Sequence, residues 1–174
     1  MKAYNGILIL FQLFFVNCND KQLEEKVADY YYQYEYVNHA WGFNHSGFTI
    51  SPAGEVFSFD KTTPWMFAEN NKLSNADLKK NIAASVKVDT LINRSELDIY
   101  NQLAFAAKSG KLSEPVQRGA DMGEIICKIF VPDNTDPQNS FNEVILTKNG
   151  DFDQYNLAPE SAVIAEWLSK LKIH

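Results

Sequence analysis

Arginine is nearly absent from this chain, at two of 174 residues against fourteen lysines. Cysteine is as scarce, with only Cys18 and Cys127, so a disulfide-stapled scaffold is excluded. Six prolines and eight glycines form no Pro/Gly/Ser-rich linker, and no internal repeat or low-complexity tract is visible. One domain follows, because 174 residues suffice for one real core and not for two ordinary ones. Positive charge is also short, with 16 basic against 22 acidic residues and no basic stripe interleaved with aromatics. Nucleic-acid binding, which rests on neutralising phosphates, is thereby excluded. What is present is ordinary globular composition, 45% apolar and 22% charged, with sixteen asparagines that lean towards an AT-rich bacterial coding sequence.

The first seventeen residues stand apart. Lys2 is followed by "GILILFQLFFV" over residues 6–16, an apolar run of eleven broken only by Gln12. As a helix it would reach about 16 Å, roughly half of a hydrocarbon core of about 30 Å, so it cannot span as a permanent anchor. A basic start, a short apolar middle and an abrupt polar turn at "NCND" are the layout of a secretory signal. Phe15, Val16, Asn17 and Cys18 occupy the positions of a lipobox, and this segment resembles bacterial lipoprotein signal sequences. Val16 and Cys18 carry the resemblance, while Phe15 and Asn17 depart from the usual pattern. The resemblance implies a signal over 1–17, lipidation (palmitate included) of Cys18 and a mature domain over 18–174. Cleavage after Cys18 by an ordinary signal peptidase, releasing a soluble secreted protein, is the alternative. Loss of Lys2 leaves 15 basic against 22 acidic residues, a net charge of −7.

Along the mature chain, periodicity predicts a helix to residue 28, a strand over 31–41, and a hairpin in "GFTISPAGEVFSFD". Ser74 and Ser95, each with an acid three residues on, predict two capped helices. Strands over 124–131 and 142–147, an Asn-Gly turn in "KNGD" and a helix from Pro159 complete the order. The expected fold is α+β: a small antiparallel sheet of about five strands, with three or four helices packed mainly on one face. Cys127, inside "GEIICKIFV", is expected to be inert core.

Chemistry-bearing residues are few. "NHAWGFNHSGF" is the densest polar-aromatic cluster, with His39, Trp41 and His45, and it is the first candidate for a ligand-binding face. Two imidazoles fall short of the three protein ligands a zinc site wants, so no metal and no cofactor is expected. Trp65, Met66 and Phe67 form an aperiodic loop with apolar anchors. Asp121 sits at a strand mouth in "ADMGE". Asp133, Asn134 and Asp136, then Asp151, Asp153 and Asn156, faintly resemble calcium loops, although Asx-rich turns account for both. No G-x-S-x-G or other nucleophile arrangement emerges.

The expected function is therefore a lipid-anchored envelope protein, more a binding domain than an enzyme, with His39, Trp41, His45, Trp65 and Asp121 as ligand-binding candidates and a protein or carbohydrate as partner. Two alternatives remain open. One is a small secreted hydrolase or metal-dependent enzyme using His39, His45 and Asp121. The other is an acidic envelope inhibitor or immunity-type protein.

Overall fold

The computed structural model describes residues 30–40, 42–60, 64–136, 139–171 and 173. The signal segment, Cys18, the helix expected to end at 28 and Trp41 lie outside the described residues.

Strict alternation of side chains gives strands β1 (Tyr31–Asn38), β2 (Asn44–Ile50) and β3 (Glu55–Asp60). The "SPAG" turn closes β2 on β3: Gly54 donates to the Ser51 carbonyl at 2.9 Å. Gly54 has φ +82°, and a Cβ there would lie 2.2 Å from the Ile92 carbonyl oxygen, so only glycine fits. After β4 (Lys72–Leu73) come α1 (Asn75–Ala84), β5 (Val86–Leu91) and α2 (Arg94–Ala107). The chain ends with β6 (Val116–Gln117), β7 (Glu124–Pro132), β8 (Phe141–Gly150), β9 (Phe152–Tyr155) and α3 (Pro159–Lys170). The Asn-Gly signal at 149–150 lies where β8 turns into β9. All strands pair antiparallel in one sheet of order β5-β3-β2-β1-β7-β8-β9-β6, with β4 added alongside β8.

Nine strands, not about five, correct the expected fold class. The missed strands have no amphipathic signature: β4 and β6 are two residues long, and β5 and β9 are largely exposed on both faces. Of the three helices among the described residues, α2 and α3 share one face of the sheet. Tyr32, Ile50, Val56 and Ile129 lie side by side across four strands, all at 0% exposure, beneath α2 and α3. Burial of aliphatic side chains of this size is worth roughly 1.5–3 kcal/mol each. The opposite face carries α1, whose Leu78 packs with Leu73, Phe130 and Phe141. Sheet parity puts Phe130 beside Tyr31, away from Tyr32.

On the first face, Leu97, Ala104 and Ala107 of α2 and Ile164 and Leu168 of α3 are buried. Polar ties fix the helices laterally: Tyr32 donates its hydroxyl to Asn101 at 2.8 Å, and the Trp167 indole donates to Glu96 at 2.8 Å while stacking on Tyr100. Ser74 caps α1 as its sequence implies, accepting from the Asp77 N–H at 3.0 Å. α2 is capped by Asn93, which accepts from the Glu96 N–H at 2.8 Å; Ser95, the expected cap, instead donates to the Asn93 side chain. Cys127 is buried on this face, and burial pushes its thiol up to about 11. No helix among the described residues is long and apolar enough to cross a membrane.

Candidate functional site

The second face holds charge where a core would be expected. Residues of odd number in β1 point there, so Gln33 and Glu35 face inward, opposite Thr49 and Gly47 of β2 and Lys128 and Ile126 of β7. Lys128 donates to Glu35 Oε1 at 2.6 Å and to Glu143 Oε1 of β8 at 2.7 Å. The other Glu35 oxygen receives Gln33 Nε2 at 2.6 Å and His45 Nε2 at 2.9 Å, so that imidazole nitrogen carries hydrogen. Thr49 donates its hydroxyl to Gln33 Oε1 at 3.2 Å. Glu35 is 1% and His45 0% exposed, and Gln33, Thr49 and Lys128 are buried with them.

Burial alone would push the Glu35 carboxyl up, but the Lys128 charge and the hydrogen bonds from His45 and Lys128 outweigh it and hold it at about 2. Burial likewise pulls the Lys128 ammonium down, and the two carboxylates beside it overcome that and raise it. The result is a ladder of hydrogen-bonded polar groups spanning β2, β1, β7 and β8, buried except at the partly exposed Glu143.

Aromatic rings roof one end of this ladder. Phe59 lies over Gly47, where a Cβ would come within 2.1 Å of the Tyr34 carbonyl oxygen and 3.0 Å of the Phe59 ring. Trp65 packs on Phe59 at 4.3 Å and on His45 at 4.9 Å, and Phe67 lies 5.3 Å from His45. The segment carrying them is pinned by α1: Asn81 accepts from the Met66 N–H at 2.9 Å and donates to the Met66 carbonyl at 2.7 Å. Phe43 completes the cluster, 5.9 Å from His45 and 6.2 Å from Phe67, with His39 tilted on it at 5.2 Å. His45 Nδ1 is buried among these rings without a protein partner.

Of the sequence candidates, His39, His45 and Trp65 thus meet in one cluster, Trp65 directly on His45 and His39 through Phe43. They do so across a chain reversal, because Asn38 pairs with Asn44 and separates the two histidines. Trp41, within that reversal, is outside the described residues. Asp121 sits in a left-handed turn, φ +64°, where its carbonyl oxygen is 3.5 Å from Asn38 Nδ2. Among the described residues no three His, Cys, Asp or Glu side chains are grouped as a metal would need. The two Asx-rich loops are engaged internally. Asp133 receives Thr135 and Lys72, which hold its carboxyl well below the usual range, and Asp153 receives Arg118. Asp151 accepts from the Met122 N–H.

Sequence reading missed Glu35, Lys128 and Glu143. Their signal was opposite charge at the centre of apolar strands, legible only once β1 and β7 are known to be neighbours. An antiparallel sheet with a buried ion-pair ladder and an aromatic cluster at one end defines the protein structurally. Compared with family models, with curated proteins and with solved structures, the chain matches none.

Proposed function

We propose that the protein is an exported binding domain, tethered to a membrane of the cell envelope through lipid on Cys18, that holds a protein or carbohydrate partner at its aromatic end. The observation that supports this reading is the pair of exposed rings Phe43 and Phe67, at 39% and 44%, resting on side chains that are themselves immobilised. Rings already fixed in place lose little conformational freedom on binding, and aromatic anchors supply much of the energy of interfaces. Chain direction agrees. Tyr30 leads into β1 at one end of the sheet, and Val37 meets His45 at the other. Eight residues of strand separate those ends by about 25 Å. The described chain thus enters the sheet at the end opposite the rings.

Intact mass of the membrane-extracted protein tests the tether: the expected product begins at Cys18 and carries acyl chains, and an unlipidated chain beginning at Asn19 would sink it. Binding of the labelled mature domain to its own envelope fraction tests the surface. Phe43→Ser with Phe67→Ser should weaken it about tenfold or more, and unchanged binding would refute the assignment. Association that collapses with added salt and involves a basic partner would instead favour the inhibitor reading, which rests on the acidic charge.

A further inference from the structure

The first face of the sheet is not sealed along its whole length. Above Tyr32, Ile50 and Val56 the helices close it completely. One step along the strands, register aligns Tyr34, Phe48, Ser58 and Val86 across β1, β2, β3 and β5, all on that same face. There α3 has ended at Lys170, and Leu171 and Ile173 of the following chain form one wall. The space left is a cavity of about 500 Å³, within the roughly 300–1,000 Å³ typical of small-molecule sites.

The residues give the cavity a definite chemistry. Ser58 opens it, standing between Phe48 and Val86 where a large apolar side chain would fill the row. Tyr34 stacks on Phe48 at 5.6 Å and 10°; Phe48 is 5% exposed, so the accessible aromatic surface of the cavity is that of the half-buried Tyr34. Asp60, exposed at the mouth, is the one charged side chain among the described lining residues. Burial raises the Tyr34 hydroxyl above its ordinary range, so it stays a neutral donor.

We propose that this cavity is a binding site for a small organic amine, its apolar body between Tyr34 and the Leu171–Ile173 wall and its ammonium at Asp60. The acidic net charge of −6 acts in the same direction, drawing cations and repelling anions. The site opens on the sheet face opposite the His45 cluster, shares only the strand residues Gly47 and Phe59 with it, and is tested separately from the proposed function.

Two fluorescent probes with one fluorophore and opposite charge decide it: dansylcadaverine, a cation, and dansylglycine, an anion, titrated into the mature domain. Dansylcadaverine should bind saturably and about tenfold more tightly than dansylglycine, the difference expected for one exposed carboxylate attracting one and repelling the other. Asp60→Asn should remove most of that preference. Ser58→Phe should fill the cavity and abolish binding of both. Val86→Trp, at a position 68% exposed and so tolerant of change, should do the same from the other side. Equal binding of the two probes, no saturable binding of either, or binding that survives a folded filling variant would overturn the proposal.

Discussion

Replacing Lys128 with Met is the most informative perturbation of this protein. Methionine keeps much of the stem volume but removes an ammonium that sits 2.6 Å from Glu35 and 2.7 Å from Glu143. Two carboxylates are then left facing each other with little water. Removing one partner of a buried ion pair costs about 3–5 kcal/mol, a large part of the roughly 5–15 kcal/mol that holds a domain folded. The sign of the pH response makes the test sharp. In the native protein Glu35 is held at about 2, below its ordinary 4.5, so its contribution is present above 4.5 and lost as pH falls towards 2. That interval corresponds to a loss on the order of 3 kcal/mol. Without Lys128, burial dominates, the folded carboxyl is raised, and the folded state binds the proton more tightly than the unfolded chain. The variant must therefore gain stability as pH falls from 7 towards 5, where the parent is flat. Urea unfolding followed by tryptophan fluorescence at several pH values measures both. Adding Glu35→Gln should recover part of the loss at pH 7 and flatten the variant's pH response. A Lys128→Met variant less than about 1 kcal/mol weaker than the parent, or one that loses stability between pH 7 and 5, would refute the account of the ladder.

Other perturbations read other parts of the fold. Asn93→Ala should cost about 1 kcal/mol and Ser95→Ala clearly less, measured by thermal unfolding, since Asn93 holds the α2 cap. Gly47→Ala should destabilise by about 2 kcal/mol or more, because its Cβ meets the Tyr34 carbonyl at 2.1 Å; a neutral melting temperature would contradict that geometry. Cys127, 3% exposed with its thiol pushed up to about 11, should react with a thiol reagent at pH 8 only at the rate of unfolding. Asn81→Ala should release the Trp65 segment, seen as increased quenching of tryptophan fluorescence by acrylamide with the α2–α3 core intact.

What could be read in advance was whatever a side chain says about its own neighbours in sequence. The β2–β3 hairpin, β7, the Ser74 cap and the helix opening at Pro159 all carry local signals of that kind. β5 does not, because "VKVDTL" pairs with β3 at the sheet's edge and tucks only Val88 partly against the core. The cap of α2 moved because Asn93 and Ser95 are both competent, and the chain's exit from β5 decided between them. At the site, local reading found His39 and His45 because aromatics and histidines crowd one short stretch, and Trp65 because it stands in an apolar loop without periodicity. It could not find Glu35 and Lys128, ninety-three positions apart, whose charges look like solvent-facing punctuation until the sheet order brings them together.

The central seam of the sheet joins β1 to β7, across some ninety residues of intervening chain. While the hairpins of β1, β2 and β3 are forming, Glu35 can already meet His45, but its cation has yet to arrive. β7 must then dock with one alignment. A slip of one residue would turn Lys128 into the apolar layer beneath α3, and a slip of two that set Ile126 against Gln33 would carry Lys128 back to Tyr31 and bring the like-charged Glu124 opposite Glu35. The buried charges therefore act as a proofreading device for strand order, rejecting near-miss pairings that a purely apolar seam of isoleucines and tyrosines would have tolerated.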